Sequence, residues 1–397
     1  MSRAMKSSLA IPRGIWVLGF VSLLMDISSE MIHSLLPLYL TVGLGASALV
    51  VGIIEGVAEA SALVAKVFSG TLSDRLGRRK WIAAAGYGMA ALSKPLFAMA
   101  TGPWLVFTAR FLDRIGKGIR GAPRDALIAD LAPREMRGAA YGLRQSLDTI
   151  GAFTGPLLAM ALMLAWSDDF RRVFWVAVIP AMLSFLLIVF AVRDAPLPVP
   201  KAAAEHGKIS LNRATLRRLG MAFWGLTAAG AALTLARFSE AFLILRAENL
   251  QLAVALAPLV LVAMSVVYSA TAYPAGRLAD RIPPRILLFA GIAALVAADV
   301  VLAMATGLVA LGAGVLLWGL HMGLTQGLLA AMVAHAAPVA LRGTAFGVFN
   351  LVSGIAMLVA SALAGALWHY VGPAATFWGG AALAAASFVL TRFATRD

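Results

Sequence analysis

The chain has 397 residues, is 61% hydrophobic and only 13% charged, has a mean hydropathy of +0.87, and carries a formal net charge of +14 with no cysteine. A soluble domain is closer to half apolar and a quarter charged, so composition excludes a water-soluble globular fold and points to a polytopic membrane protein. The missing cysteines exclude disulfides and thiolate metal sites.

Apolar stretches long enough to cross a bilayer recur from end to end. Backbone groups cannot stay unpaired in lipid, so these stretches must be helices, and they lack the alternation of barrel strands. Twelve spans are expected, near 14–42, 47–69, 81–101, 103–128, 138–165 and 171–192 in the first half, and near 219–245, 251–275, 285–306, 308–333, 343–368 and 372–393 in the second. The first span carries Asp26 and Glu30 and runs on to about Leu44, too long for a cleavable signal core. The fourth is the weakest, cleanly apolar only from Pro103 to Leu112. Between the halves, Arg193 to Leu219 holds PLPVPKAAAEHGK and the basic, amphipathic ISLNRATLRRL, which reads as a linker with a short interfacial helix. The expected architecture is an all-α membrane protein of twelve transmembrane helices in two pseudo-symmetric halves, 1–192 and 219–397, joined by a cytoplasmic linker, 193–218.

Two internal repeats carry that division. GTLSDRLGRRK from Gly70 to Lys80 has a weaker copy, GRLADRIPPR, from Gly276 to Arg285. Arg137-Gly-Ala-Ala-Tyr-Gly142 is answered by Arg342-Gly-Thr-Ala-Phe-Gly347 at nearly the same offset. Two coincident markers per half point to duplication. Basic residues concentrate in the turns on one side (Arg75, Arg78, Arg79, Lys80, Arg134, Arg137, Arg277, Arg281, Arg285), and the opposite loops hold little beyond Arg171 and Arg172. That is the positive-inside bias, which places both termini in the cytoplasm. The basic balance therefore reports orientation in a lipid bilayer, and no nucleic-acid partner is expected.

Ionisable groups inside spans are costly unless paired or hydrated, so they mark function by default. The first span has Asp26, Ser29, Glu30 and His33 on one helical face. The second has Glu55, Glu59 and Lys66; the fourth has Arg110, Asp113, Arg114, Lys117, Arg120 and Arg124 in one stripe; the fifth adds Arg144 and Asp148. Acids and bases in similar numbers suit ion pairs around a wet cavity. They also suit proton carriage, because burial and a nearby cation act on a carboxylate in opposite directions. Both readings stand open. The second half is poorer in charge: Arg237 and Glu240, three residues apart, are candidates to pair, and Trp318, His321, Met322, Thr325 and Gln326 offer a soft wall with a few hydrogen-bonding groups.

Gly70, Leu72, Asp74, Arg75, Gly77, Arg78 and Arg79 resemble the loop between the second and third helices of the major facilitator superfamily. Gly151-Ala-Phe-Thr-Gly155-Pro156 resembles the fifth-helix antiporter motif of its proton-driven drug exporters, and Arg114-Ile-Gly-Lys117-Gly118-Ile-Arg120-Gly121-Ala122 resembles their fourth-helix motif. The chain departs from these patterns at Ala159 and Met160, where the antiporter motif prefers glycines, at Arg120, where a small residue is expected, and at Pro283 and Pro284 in the second loop. The resemblance implies an inner-membrane, alternating-access carrier of a small molecule, working as a monomer without a cofactor. Proton-coupled efflux of an organic compound is the leading expectation; uptake or exchange of an organic anion, and carriage of a metal or metal chelate, are the alternatives.

The resemblance implicates Arg114 in proton coupling, and with the burial argument above it is the expected modulator of a proton site at Asp26 or Glu30. His33, Glu55, Asp113, Lys117, Arg144, Asp148, Arg237, Glu240, His321 and Gln326 are the expected cavity residues. Gly70, Asp74, Arg75, Gly77 and Arg78 form a gate, with Asp125 or Asp130 as partner of Arg78, and Gly276, Asp280 and Arg281 are its second-half echo. Asp74 would face the start of the helix near Gly343, where the helix dipole favours a carboxylate by about 0.3–1 kcal/mol. Asp26, Glu30 and His33 have the spacing of metal ligands, but no second His or Met pair completes a set, and no metal site is expected. No enzyme is expected either: there is no HExxH, no GxSxG with a partner His and no GxxxxGK[ST] loop.

Overall fold

A computed structural model describes residues 11–76, 78–133, 136–192, 216–279, 281–338 and 341–394, and among these residues the regular structure is helical throughout. The long helices are α1 (Arg13–His33), α2 (Ala48–Leu76), α3 (Arg79–Met99), α4 (Pro103–Leu131), α5 (Arg137–Ala165) and α6 (Phe170–Phe190), then α7 (Gly220–Ala236), the short α8 (Ala241–Asn249), α9 (Pro258–Ala279), α10 (Pro284–Met304), α11 (Leu308–Ala336), α12 (Arg342–Tyr370) and α13 (Pro373–Ala394). Proline opens α4 and α10, the position where its missing N–H is harmless.

Ten helical stretches among the described residues are long and apolar enough to cross a membrane. α3 and α4 are not among them; α4 spends its apolar quota on the charged stripe from Arg110 to Asp130. Three of the ten stretches are interrupted, one of them by a 3-10 turn at Val254–Leu256 ahead of α9. After α1 the chain passes through Leu36–Leu38 and a π-helical turn at Tyr39–Gly43, and α7 and α8 are separated at Arg237–Glu240. The linker expected at 193–218 falls almost wholly outside the described residues.

Helix neighbours repeat along the chain. α3 packs on α4 as α10 packs on α11, α2 on α4 as α9 on α11, α3 on α6 as α10 on α13, and α1 on α6 as α7 on α13. Contact between these two sets runs chiefly through α2 and α12. Small residues let these two backbones touch: a β-carbon on Gly56 would lie 3.0 Å from the Leu358 carbonyl oxygen, and one on Gly365 would lie 2.7 Å from that of Ala48.

One large apolar cluster draws on both sets, from Leu35, Leu36 and Val51 to Phe242, Leu243 and Ala364. The other two clusters each stay within one set. One lies around Ile15, Tyr87 and Ile188, the other around Phe223, Val333 and Val348. The sets are therefore joined by apolar packing at the end remote from the charged turn at residues 70–80, and each has its own core near that turn. At the joined end, Tyr39 Oη and Arg171 Nη2 both donate to the Ala100 carbonyl, at 2.6 and 3.0 Å. Arg246 closes the end of α10 by donating to the carbonyls of Leu302 at 3.1 Å and Ala305 at 2.8 Å.

Candidate functional site

Eight of the ionisable groups in the first four helices form one connected network. Arg110 on α4 meets Glu55 on α2 at 2.7 Å, both about 1% exposed, and reaches Glu59 at 3.7 Å. Arg114 Nε lies 3.4 Å from Glu59 and 3.8 Å from Asp113. Asp113 holds Lys94 of α3 at 2.8 Å, and Lys94 also donates to Ser29 Oγ of α1 at 3.0 Å. His33 Nδ1 is 3.3 Å from Glu30 and its Nε2 is 4.0 Å from Glu55. The α4 stripe is thus divided: Arg110 and Arg114 turn to α2, Asp113 to α3. Removing one partner of such a pair leaves an uncompensated buried charge, at about 3–5 kcal/mol, so the network fixes how four helices sit together. Lys94 is a member that sequence reasoning missed; it lies in an otherwise apolar run, GYGMAALSKPLFAM.

Beside this network lies a cavity of about 480 Å³. α1 contributes Asp26 and Glu30; α2 contributes Glu59, Leu63 and Lys66; α4 contributes Lys117, Arg120, Arg124 and Asp125; α5 contributes Arg144, Asp148 and Phe153. Ser265, Tyr268 and Ser269 of α9 complete the wall, so both helix sets face the chamber. Arg144 pairs with Asp148 and lies 3.9 Å from Asp125, which also takes Arg124 at 3.2 Å. Arg124 donates to Ser22 Oγ at 3.0 Å. Arg120 lies over the Tyr87 ring at 5.0 Å.

The fifth-helix glycines seat α5 on the carboxylate face of α1. A β-carbon on Gly151 would lie 2.9 Å from Asp26 Cβ, and one on Gly155 would lie 2.8 Å from Glu30 Cβ. Pro156 follows within α5. Any side chain at these glycines would push away the two carboxylates that line the cavity.

Of the expected cavity residues, the chamber gathers Lys117, Arg144 and Asp148 together with Asp26 and Glu30. Glu55, Asp113, Arg114 and His33 stand behind it in the network. Arg237, Glu240, His321 and Gln326 are not part of its wall. Arg237 and Glu240 lie at the break between α7 and α8; they are electrostatic neighbours, but no ion pair within 4.0 Å joins them among the described residues, because the helix is interrupted there and does not hold the three-residue spacing in register. His321 is fully buried, with Nδ1 2.8 Å from the Gly291 carbonyl oxygen. Asp299 on α10, also fully buried, has neither carboxylate oxygen hydrogen-bonded; the sequence reading passed over it as one acid in a long apolar span.

At the charged turn Asp130 takes Arg79, at 2.7 Å, whereas Arg78, the expected partner, is exposed. Arg79 opens α3 and so faces the end of α4, whereas Arg78 precedes the helix and points outward. The described ion pairs of Asp125 are with Arg124 and Arg144. Gly70 packs toward Ala122 of α4, at 3.4 Å for a β-carbon, and Ser69 Oγ donates to the Gly118 carbonyl at 2.9 Å. The side chains of Asp74 and Arg75, and Gly77 and Asp280 entirely, lie outside the described residues. Gly276 has open space around it and Arg281 is exposed. Among the described residues no group of three or more His, Cys, Asp or Glu side chains is placed to hold a metal ion, so the metal alternative draws no support from the fold.

The profile of the Major Facilitator Superfamily matches residues 18–245 and, again, residues 228–397. The chain belongs to that superfamily. It is 30% identical to an uncharacterised MFS-type transporter of Methanocaldococcus jannaschii, over 96% of this chain and 95% of that one. Multidrug resistance protein MdtH of Yersinia pestis is 32% identical over 41% of this chain and 39% of its own length. A bacterial homologue of the human lysosomal transporter Spinster, in an inward-facing and unoccupied conformation, shares the fold with a TM-score of 0.73 at 15% identity, over 99% of this chain and 96% of that one. The protein is accordingly a multi-pass membrane transporter of small solutes, and its relatives and fold neighbours are transporters, not enzymes.

Proposed function

We propose that this MFS transporter exports a small organic compound in exchange for protons, by alternating access of two six-helix halves, 1–192 and 219–397, as a monomer. The observation that carries the reading is the chamber itself. It is shared by α9 and by helices of the first half, and two carboxylates on its wall, Asp26 and Glu30, lie under the glycines of an antiporter-like motif. A proton carrier needs a carboxylate whose surroundings change when the halves rock, and Asp26 and Glu30 face a chamber that Ser265, Tyr268 and Ser269 of the other half help to line. The partial likeness to MdtH favours export.

In this reading the basic turns mark the cytoplasmic face. The chamber then lies toward the cytoplasm, because Lys66, Asp125 and Arg144 on its wall are near the ends of their helices that carry those turns. The apolar packing of α2 on α12 closes the opposite side. Asp74 at the end of α2 would latch to the start of α12 when the cytoplasmic side shuts.

Proteoliposomes loaded with a pH-sensitive dye test the proposal. A panel of aromatic acids, aromatic amines and neutral aromatics is added outside, and movement of protons driven by each is recorded. The reading expects at least one compound to drive proton movement in the wild type and none in Glu30→Gln with Asp26→Asn. Transport that proceeds with no proton movement would overturn the exchange mechanism.

A further inference from the structure

We infer that the compound carried in this chamber is an organic anion, and that Lys66, Lys117 and Arg120 hold its acidic group. The inference rests on the transport reading above and narrows its substrate class. It follows from which charges on the wall already have partners. Glu30 is taken by His33, Glu59 by Arg114 and Arg110, Asp125 by Arg124 and Arg144, and Asp148 by Arg144. Glu30 holds only the His33 imidazole, and Asp26, which lines the same wall as Lys117 and Arg120, has no ion pair of its own. On the cationic side Lys66, Lys117 and Arg120 have none. Arg120 is 4% exposed, and its Nη1 is buried without a hydrogen-bond partner. A guanidinium donor shut away from water without an acceptor is costly, and an oxyanion in the chamber would relieve it.

The three cations line the same chamber from two adjacent helices, α2 and α4. Lys117 and Arg120 are one helical turn apart on α4. Gly118 between them brings the α2 backbone against α4: a β-carbon there would lie 2.6 Å from Ala65 Cβ and 3.0 Å from the Lys66 backbone nitrogen. Lys66 thus stands across the contact from Lys117. Two ammonium groups and a planar guanidinium suit a carboxylate or phosphate. The rest of the wall includes Leu63, Phe153 and Tyr268, which suits an apolar or aromatic body rather than a bare inorganic ion.

The test uses the purified full chain in neutral detergent, with the unfolding midpoint as the readout, because a ligand of the folded state raises it without any assumption about direction. The probes are an aryl carboxylate, an aryl phosphate, inorganic phosphate, the anionic lipid phosphatidylglycerol and tetraphenylphosphonium. Lys66 and Lys117 are exposed to the chamber, so Lys66→Gln with Lys117→Gln tests the site without unfolding risk from a buried change. The aryl anions are expected to raise the wild-type midpoint, with affinity falling about tenfold or more in the double variant, and Lys117→Arg is expected to retain it. Stabilisation by tetraphenylphosphonium alone, or by phosphatidylglycerol alone, would overturn the organic-anion assignment while leaving a solute chamber in place. Aryl-anion binding unchanged in the double variant would overturn the three-cation site, and inorganic phosphate binding as well as the aryl anions would overturn the organic requirement. No response to either aryl anion would overturn the inference as well. The exchange reading fails separately, if aryl anions bind but drive no proton movement in liposomes.

Discussion

Gly155 of α5 lies directly on Glu30 of α1: a β-carbon at position 155 would sit 2.8 Å from the glutamate Cβ and 2.7 Å from the Ile27 carbonyl oxygen. The antiporter-like motif is therefore a packing device for the carboxylate face of the first helix. Gly155→Ala is expected to destabilise the protein by about 1–3 kcal/mol through overpacking and to depress transport. Gly142, on the same helix, has open space, and Gly142→Ala is expected to stabilise by about 0.5–1 kcal/mol. Unfolding midpoints of the two variants, side by side, check the opposite signs.

In the proposed exchange the proton is carried by Asp26 or Glu30. Glu30→Gln keeps the shape of the side chain and its seat under Gly155, so the fold is expected to survive. Flux measured across a series of external pH values should lose its pH dependence. A variant that keeps the wild-type pH profile and alters only substrate affinity would move Glu30 from the proton path to the binding site.

The pair Arg110–Glu55, 2.7 Å apart and closed to solvent, is a structural tie between α2 and α4. Glu55→Gln should cost about 3–5 kcal/mol by leaving Arg110 without its main counter-charge. Combining it with Arg110→Gln should recover part of that loss. A double-mutant cycle on unfolding free energies measures the coupling, and strict additivity would remove the tie.

In the proposed cycle, Asp74→Asn should leave the unfolding free energy within about 0.5 kcal/mol of wild type and slow transport by weakening the closed cytoplasmic gate. Parallel measurement of thermal stability and flux separates a gate from a fold contact; unaltered flux removes the gate.

Much of this arrangement is legible in the residues. Hydropathy leads to twelve expected spans, ten of which are apolar enough to cross a membrane among the described residues, and the charge of Arg110 to Asp125 marks α4 as the polar helix facing a cavity. Partner identity is harder to read, because it depends on how one helix is rotated against the next. Lys94 finds Asp113 only once α3 lies along α4, and Arg79 displaces Arg78 as the partner of Asp130 because the helix start turns it inward. Arg237 and Glu240 mislead for a related reason: their spacing implies a continuous helix, and the chain breaks between α7 and α8. Asp299 gives no periodic signal at all, since a single acid in an apolar span looks the same whether it faces lipid, cavity or core.

Access to the chamber from the two faces of the membrane tests the central claim of alternating access. The chain has no cysteine, so Ala152→Cys on the chamber wall would carry the sole thiol. Its labelling by a membrane-impermeant maleimide is followed in right-side-out and inside-out vesicles, with and without a proton gradient. The account predicts labelling from the cytoplasmic face at rest and a rise in labelling from the opposite face when the gradient and a transported compound drive the cycle. Labelling confined to one face under every condition would contradict alternating access, and equal labelling from both faces at all times would indicate an open pore.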